Sequence, residues 1–424
     1  MFIAWLSYAI LVLGFINVLR LAVFMISADW YDIRKMRESK LSPRVKQYRP
    51  YVTIIVPAYN EEMGVIRTVE SVLANDYSYK QLIVVDDGSS DKTLSRLRAF
   101  KRKTKSKQLK IVHQSNQGKA AAINNALKRH ARGSLVMVLD ADSLLSSNAI
   151  SNMVKHFEDN EVAAAAANVK VIDSNGILNA AQRLEYVVSY RMKRALTVLN
   201  VEYIIGGVGS TFRKDIIVAC EYYDTDTMTE DIDFTMKIIS RKGNRKHKIT
   251  FASDVLTYTE SVESFGGLLK QRFRWKYGRM QAFYKNRDVF FSTDKKHTKR
   301  LAWLYLPFIL FSEAILLFDP FLTVFVFYAS LRFAGLSGLL SVYAFVTVFS
   351  LINILSERTE TRRNKLTLVG LVPVAYPLLM IMSLVDFMVL VKALYKFPDI
   401  VRNKNQVSHW QHVERTGAAA NISL

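Results

Sequence analysis

The chain has 424 residues, which allows two or three domains, and half of them are hydrophobic. Its 58 lysines and arginines against 37 acids give a formal net charge of +21, an excess that favours contact with phosphates, of nucleic acid or of anionic lipid. A lone cysteine, Cys220, excludes an internal disulfide and fits a reducing compartment.

The apolar residues gather at Phe2 to Ser27 and from Leu301 to about Phe397, around a middle of mixed composition. The first run is long enough to cross a bilayer, which needs about 20 apolar residues. Without a basic leading region or a small-residue cleavage site it reads as a retained anchor. Arg34, Lys35, Arg37 and Lys40 behind it place the next domain in the cytoplasm. Residues 41–50, with Pro43 and Pro50, read as a linker.

An alternation of strands and helices follows. Tyr51 to Val56, Leu82 to Val85, Lys110 to Val112 and Ser134 to Leu139 are short apolar runs. Between them lie helical patterns at Glu62 to Leu73 and Gly118 to His130. Near-continuous apolar strands separated by helices predict an α/β domain with a doubly wound, mostly parallel sheet. Ligands bind such sheets at the carboxyl ends of the strands. Those ends carry Asn60 and Glu61, Asp86 and Asp87, and Asp140 and Asp142. Ala163 to Ala167 reads as a buried small-residue strand. Leu178 to Leu199 and Ser264 to Tyr284 are amphipathic and basic, so they are either interfacial or core-facing helices.

Farther on, Trp303 to Leu331 is one tilted span or a hairpin broken at Asp319-Pro320. Ser337 to Leu355 is a span, and Leu366 to Phe397 another with kinks at Pro373 and Pro377. With the first segment the expected count is four or five. Glu313 and Asp319 either mark a pathway through the membrane or, for Asp319, a wet turn. The basic run Arg96 to Lys110 lacks the interleaved aromatics that stack bases, so no nucleic acid partner is expected.

Asp140-Ala141-Asp142 ends a strand with carboxylates at a spacing that holds Mg²⁺ or Mn²⁺ against a diphosphate. Asn116 to Lys119 opens a helix with backbone N–H groups and a lysine, which suits phosphate or simply a capping turn. Pro57 to Glu61 offers an aromatic and a hydrogen-bonding acid to a nucleobase. Thr229-Glu230-Asp231 supplies a candidate base, and Gln271-Arg272-Phe273-Arg274-Trp275 a cationic cradle or an interfacial belt.

Taken in order, Pro57 to Glu62, Asp86 to Asp91, Gly118-Lys119, Asp140 to Asp142, Thr229 to Asp231 and Gln271 to Trp275 resemble the motif series of the processive family 2 glycosyltransferases. These include bacterial synthases of cellulose, chitin, hyaluronan and poly-N-acetylglucosamine. The Thr229 to Ile232 continuation, the Lys270 to Trp275 form, and Trp410 followed by Glu414 to Gly417 are most similar to the poly-β-1,6-N-acetylglucosamine synthases.

The resemblance implies a GT-A-type domain with α-helical transmembrane segments. Tyr59, Asn60, Glu61 and Asp87 would hold uridine, and Lys119 and Asp140 the rest of the nucleotide. Asp142 with Asp140 would ligate the metal. Asp231 would be the general base, its pKa raised by the adjacent Glu230 and the nearby Asp233. Gln271, Arg272 and Arg274 would face the diphosphate, Trp275 would stack on a sugar, and Gly206-Gly207 would form the acceptor loop. Expected domains are an anchor at 1–28, a cytoplasmic domain at 29–260, interface helices at 261–300, spans at 301–397 and a basic tail at 398–424. The implied activity is inverting polymerisation from a UDP-sugar, preferably UDP-N-acetylglucosamine, into a β-linked polysaccharide at the plasma membrane, with membrane lipid and a small accessory membrane protein as partners. Alternatives are another β-polysaccharide, transfer to a lipid, or a membrane transporter with a nucleotide-sensing domain.

Overall fold

The computed structural model describes residues 2–41, 48–172 and 176–402. Most of the expected linker, and the tail with Trp410 and Glu414 to Gly417, lie outside the described residues.

The first helix, α1 (Phe2–Leu41), does not stop at Ser27. No proline falls inside it, so nothing breaks the hydrogen-bond ladder before the linker. Strand β1 (Val52–Ala58) then leads through α2 (Val65–Leu73) to β2 (Lys80–Asp87), and through α3 (Thr93–Thr104) to β3 (Leu109–Gln114). Helix α4 (Lys119–Arg129) returns the chain to β4 (Leu135–Val138). β1 pairs in parallel with both β2 and β4, and β2 with β3. The parallel register sets Ala58, Asp87, Gln114 and the end of β4 along one edge. Side chains alternate faces along these strands. Ile55, Ile83 and Val85 enter the core on one face, while Ile54, Val56, Leu82 and Val84 enter the core on the other.

The second half of the sheet adds β5 (Leu144–Leu145), α5 (Ala149–His156), β6 (Val162–Val171), α6 (Ile177–Leu199), β7 (Ser210–Arg213), α7 (Lys214–Ala219), α8 (Glu230–Lys242) and β8 (Lys248–Thr259). The strand order is β3-β2-β1-β4-β7-β6-β8-β5, with β7 antiparallel to both neighbours and β5 antiparallel to β8. The sheet is thus mostly parallel, and the alanine run forms part of the buried stretch of β6.

After β8 come α9 (Phe265–Lys285), α10 (Leu306–Leu316), α11 (Asp319–Ala329), α12 (Gly335–Ser356), α13 (Arg362–Gly370), α14 (Ala375–Tyr395) and α15 (Phe397–Val401). Among the described residues two stretches are long and apolar enough to cross a membrane, 335–356 and 362–395. A third counts if 300–316 and 319–332, bent by 66°, form one broken span. Some side chains of α1 lie outside the described residues. The bend follows from Pro320, which suits the first turn of a new helix and cannot continue the old one.

Helix α6 is core-facing on both sides. Ala195 and Leu196 pack under the sheet, while Ala181, Leu184 and Val187 join Phe273 and Tyr277 of α9 and Met382 and Val385 of α14. Buried ion pairs tie the layers. Arg194, 1% exposed, reaches Asp32 of α1 at 3.0 Å and Glu357, just past α12, at 2.7 Å. Arg191 meets Asp29 at 2.6 Å, and the Tyr31 hydroxyl donates to the Phe251 carbonyl at 2.7 Å.

Candidate active site

The site is built where the parallel strands end. Beyond β1, Asn60 takes a positive φ of 55°, which Asn tolerates better than most residues. Its side-chain oxygen accepts from the Ser90 backbone N–H at 2.8 Å, and its own N–H donates to Ser89 Oγ at 3.0 Å. The Glu61 N–H donates to Thr93 Oγ1 at 2.8 Å. Beyond β2, Gly88 has φ 74°, and a Cβ there would lie 2.7 Å from the backbone nitrogen of Asn116. The loops after β1, β2 and β3 are therefore knit into one rim.

Asp87 is the knot. Its Oδ1 accepts from Gln114 Nε2 at 2.7 Å and from the Gln117 N–H at 3.0 Å, and its Oδ2 from the Gly118 N–H at 2.8 Å. Both oxygens of this expected uridine ligand are engaged by its own chain, which presets the turn into α4. Its neighbour Asp86 differs. Fully buried, it meets His113 Nδ1 at 2.6 Å through Oδ2, while Oδ1 has no hydrogen-bond partner among the described residues. A buried, unsatisfied carboxylate oxygen at a strand end is costly unless a ligand donates to it. Asp86 is thus a candidate nucleotide contact to which the sequence reading assigned no role.

Lys119, in the first turn of α4, brings the acids together. Its Nζ lies 2.7 Å from Asp140 Oδ1 and 2.7 Å from Glu230 Oε1. Burial works against its charge, but Asp140, Glu230 and Asp231 outweigh burial and hold the ammonium well above its usual range. Gly207 closes the cluster, because a Cβ there would lie 3.0 Å from Lys119 Nζ, 3.4 Å from Asp231 Oδ2 and 3.6 Å from Asp140 Oδ1. Gly206, by contrast, is exposed with open space around it.

Asp231 sits in the first turn of α8 with its Oδ1 accepting from the Ile232 N–H at 2.8 Å. Burial and the neighbouring Glu230 push its pKa up to about 6, against the pull of Lys119. A carboxyl raised so far is suited to take a proton near neutral pH. Asp142 is half-buried, and its Oδ1 accepts from Ser143 Oγ at 2.9 Å. Tyr59 and Glu61 are half-buried on the rim.

The Gln271 to Trp275 stretch lies on α9, and two contacts couple α9 to the acidic triplet. The Met228 N–H donates to Gln281 Oε1 at 2.9 Å, and Thr229 packs directly on Gly278, where any Cβ would collide with it. Arg272 forms a bidentate pair with Glu185 of α6, both bonds 2.6 Å, and lies 4.8 Å from the Trp275 ring centre. The Arg272 guanidinium is therefore already engaged, and Glu185, far upstream, gave no local sign of the pairing. Buried Gln271 has no partner for its Oε1 among the described residues, and Arg274 and Trp275 are half-buried. On the next turns of α9, Lys276 and Arg279 both pair with Glu313 of α10. Asp319 accepts from Ser383 Oγ of α14, so Glu313 and Asp319 each have a partner.

A second acidic group, Asp224, Asp226 and Asp233, is closed around Lys285 Nζ at 2.9, 2.7 and 3.3 Å. It is built for a lysine, as the ammonium already bridges all three carboxylates.

Comparison with known proteins accords with this arrangement. The family described as glycosyltransferase like family 2 matches residues 50–278. A poly-beta-1,6-N-acetyl-D-glucosamine synthase of Staphylococcus aureus is 29% identical over 285 residues, 67% of this chain. The matched region spans only 64% of that relative's length. The synthase of the same name from Staphylococcus epidermidis is 29% identical over 258 residues, 61% of this chain and 60% of its own. A mannosyltransferase from Pyrobaculum calidifontis, solved in complex with GDP-Man and Mn2+, superposes over 88% of this chain and 95% of its own at a TM-score of 0.54 and 23% identity, a likeness of fold. With the family match covering the sheet, the acidic cluster and the start of α9, the chain belongs to the glycosyltransferase 2-like family and carries its GT-A fold.

Proposed function

We propose that this glycosyltransferase is a membrane synthase that extends a β-linked polysaccharide from UDP-N-acetylglucosamine and passes it outward through its own helices. The observation that supports it best is the convergence of Lys119, Asp140, Glu230, Asp231 and Gly207, with the Asp231 carboxyl raised to about 6. In this reading Asp231 draws the proton from the acceptor hydroxyl as that oxygen attacks the anomeric carbon opposite the departing UDP, which inverts the centre. Glu230 and burial keep the base poised, while Lys119 holds Asp140 and Glu230 in place and puts positive charge beside the nucleotide. Asp86 and the rim of Tyr59, Asn60 and Glu61 take the uridine, and Gly207 leaves room for the reacting sugar. Gln271, Arg274 and Trp275 face diphosphate and acceptor, with Arg272 set by Glu185.

Asp140 and Asp142 offer hard carboxylate oxygens, the donor set that suits Mg²⁺ or Mn²⁺. A divalent ion held there would neutralise charge on the diphosphate. The other acidic group fits its lysine instead. The plasma-membrane setting, the division into anchor, cytoplasmic domain, interface helices and spans, and a small accessory protein belong to the same reading.

The test is detergent-purified protein incubated with Mg²⁺ or Mn²⁺ and a panel of UDP-sugars, following UDP release and product length, with Asp231→Asn as control. Long product from UDP-N-acetylglucosamine, lost in the variant, is expected. Long product from another donor, or a single sugar on a lipid, would replace the substrate assignment. No transfer from any donor, with solute flux surviving Asp231→Asn, would favour a transporter.

A further inference from the structure

On the side of α9 away from Thr229 lies a cavity of about 500 Å³, walled by α9, α10 and α14. Its lining is almost wholly apolar, with Phe283, Leu317 and Leu390 among its residues. The exceptions are Lys276, Arg279 and Arg287 against a single acid, Glu313. Lys276 and Arg279 share that acid and also face Asp386 of α14, so their charges are largely balanced, whereas Arg287 has no acid partner among the described residues. Arg287 is exposed, lies 4.6 Å from the Tyr284 ring centre, and donates from Nη1 to the Tyr284 carbonyl at 3.0 Å. A guanidinium has five N–H donors, so several remain for a ligand. Beside the cavity, Phe291 and Trp303 pack edge to face and are both largely exposed, the kind of aromatic pair found at headgroup depth.

We propose that this cavity is a binding site for one anionic phospholipid, an acyl chain lying between α9, α10 and α14 and the headgroup phosphate bonded by Arg287. Arg287, the cation at the cavity without an acid partner among the described residues, selects a phospholipid whose headgroup carries no cation of its own. Because α9 also carries Gln271 to Trp275 and supports Thr229 through Gly278, the lipid seats the helix on which the active site leans. The proposal rests on reading α10 and α14 as membrane helices, and its readout does not depend on sugar transfer.

The full chain is exchanged into lipid discs of mixed phosphatidylcholine and phosphatidylglycerol, and lipids retained after release into mild detergent are counted by native mass spectrometry. One phosphatidylglycerol per chain is expected, retained about tenfold over phosphatidylcholine. Arg287→Gln, an exposed change, should erase most of that preference. Arg362→Gln, an exposed arginine on α13, should leave it intact, and excess inorganic phosphate should displace nothing. Ala314→Trp, which fills the cavity, should reduce retention of both lipids. Equal retention of the two lipids, equal loss in Arg287→Gln and Arg362→Gln, or displacement by phosphate would overturn the proposal. Asp231→Asn, expected to lose sugar transfer and keep the lipid, separates this site from the proposed reaction.

Discussion

The rim at the strand ends and the layer formed by α6, α9 and α14 are held together by different means. The rim is knit by short backbone-directed bonds, as between Asp87 and Gly118 or Asn60 and Ser90. The helical layer is an apolar cluster crossed by the buried pair of Arg272 with Glu185, and α6 is tied beyond it by Arg194 with Glu357, ion pairs between residues far apart in sequence. A loop bonded to a neighbouring backbone is preset whenever the sheet forms. A charge buried against a distant partner is stable only once every layer has docked, because either charge left alone would be heavily penalised.

The difference can be pressed by substitution. The largest effect is expected in the acid cluster, where Asp231→Asn should lower transfer about 10²–10⁴-fold, the range for loss of a general base, with little change in unfolding temperature. The wild-type rate should rise with pH through about 6, since the base acts only when ionised. A flat profile between pH 5 and 7 in kcat/KM would remove Asp231 from that role.

Next, Arg194→Ala should cost about 3–5 kcal/mol of stability by stranding buried acids. Burial opposes ionisation of Glu357, but Lys170, Arg194 and Thr359 hold its carboxyl at about 2. A depressed acid contributes its full stability above its ordinary value of 4.5 and loses it as pH falls from there through about 2. Thermal unfolding of wild type and Arg194→Ala should therefore converge on acidification. A variant as stable as wild type at neutral pH would show that the layers dock without this pair.

Gly278→Ala sits between the two regions. It should push Thr229 off α9, destabilise by about 1–3 kcal/mol, and lower transfer by more than the loss of folded protein explains. Equal losses would mean the contact is packing alone. Asn60→Ala should be mildest, at about 0.5–1.5 kcal/mol for bonds on an exposed rim, read as a small drop in unfolding temperature and a raised KM for the donor.

The same contrast explains what could be read in advance. The parallel strands were legible because each is a short apolar run closed by polar residues, and chemistry at such ends is local. The break at Asp319-Pro320 was legible as one of two options, because proline acts on its own backbone. Glu185, Glu357 and Glu313 were not readable as partners. An acid on one helix carries no mark of the arginine it will meet more than thirty residues away, and only packing decides the pair. Asp87 and Asp86 are adjacent and chemically identical, so spacing could not tell which carboxylate braces the turn and which keeps an oxygen open.

The uninterrupted α1 has a mechanical consequence. At about 1.5 Å per residue its 40 residues reach about 60 Å, roughly twice the hydrocarbon thickness of a bilayer. Anchored in a membrane, it stands up from the surface as a strut, clamped to α6 and the sheet by Asp29, Tyr31 and Asp32. A strut braced at three points holds the sheet edge that carries the acidic cluster at a constant height. Any stroke at the acidic cluster would then be confined to loops and side chains rather than to a swing of the domain.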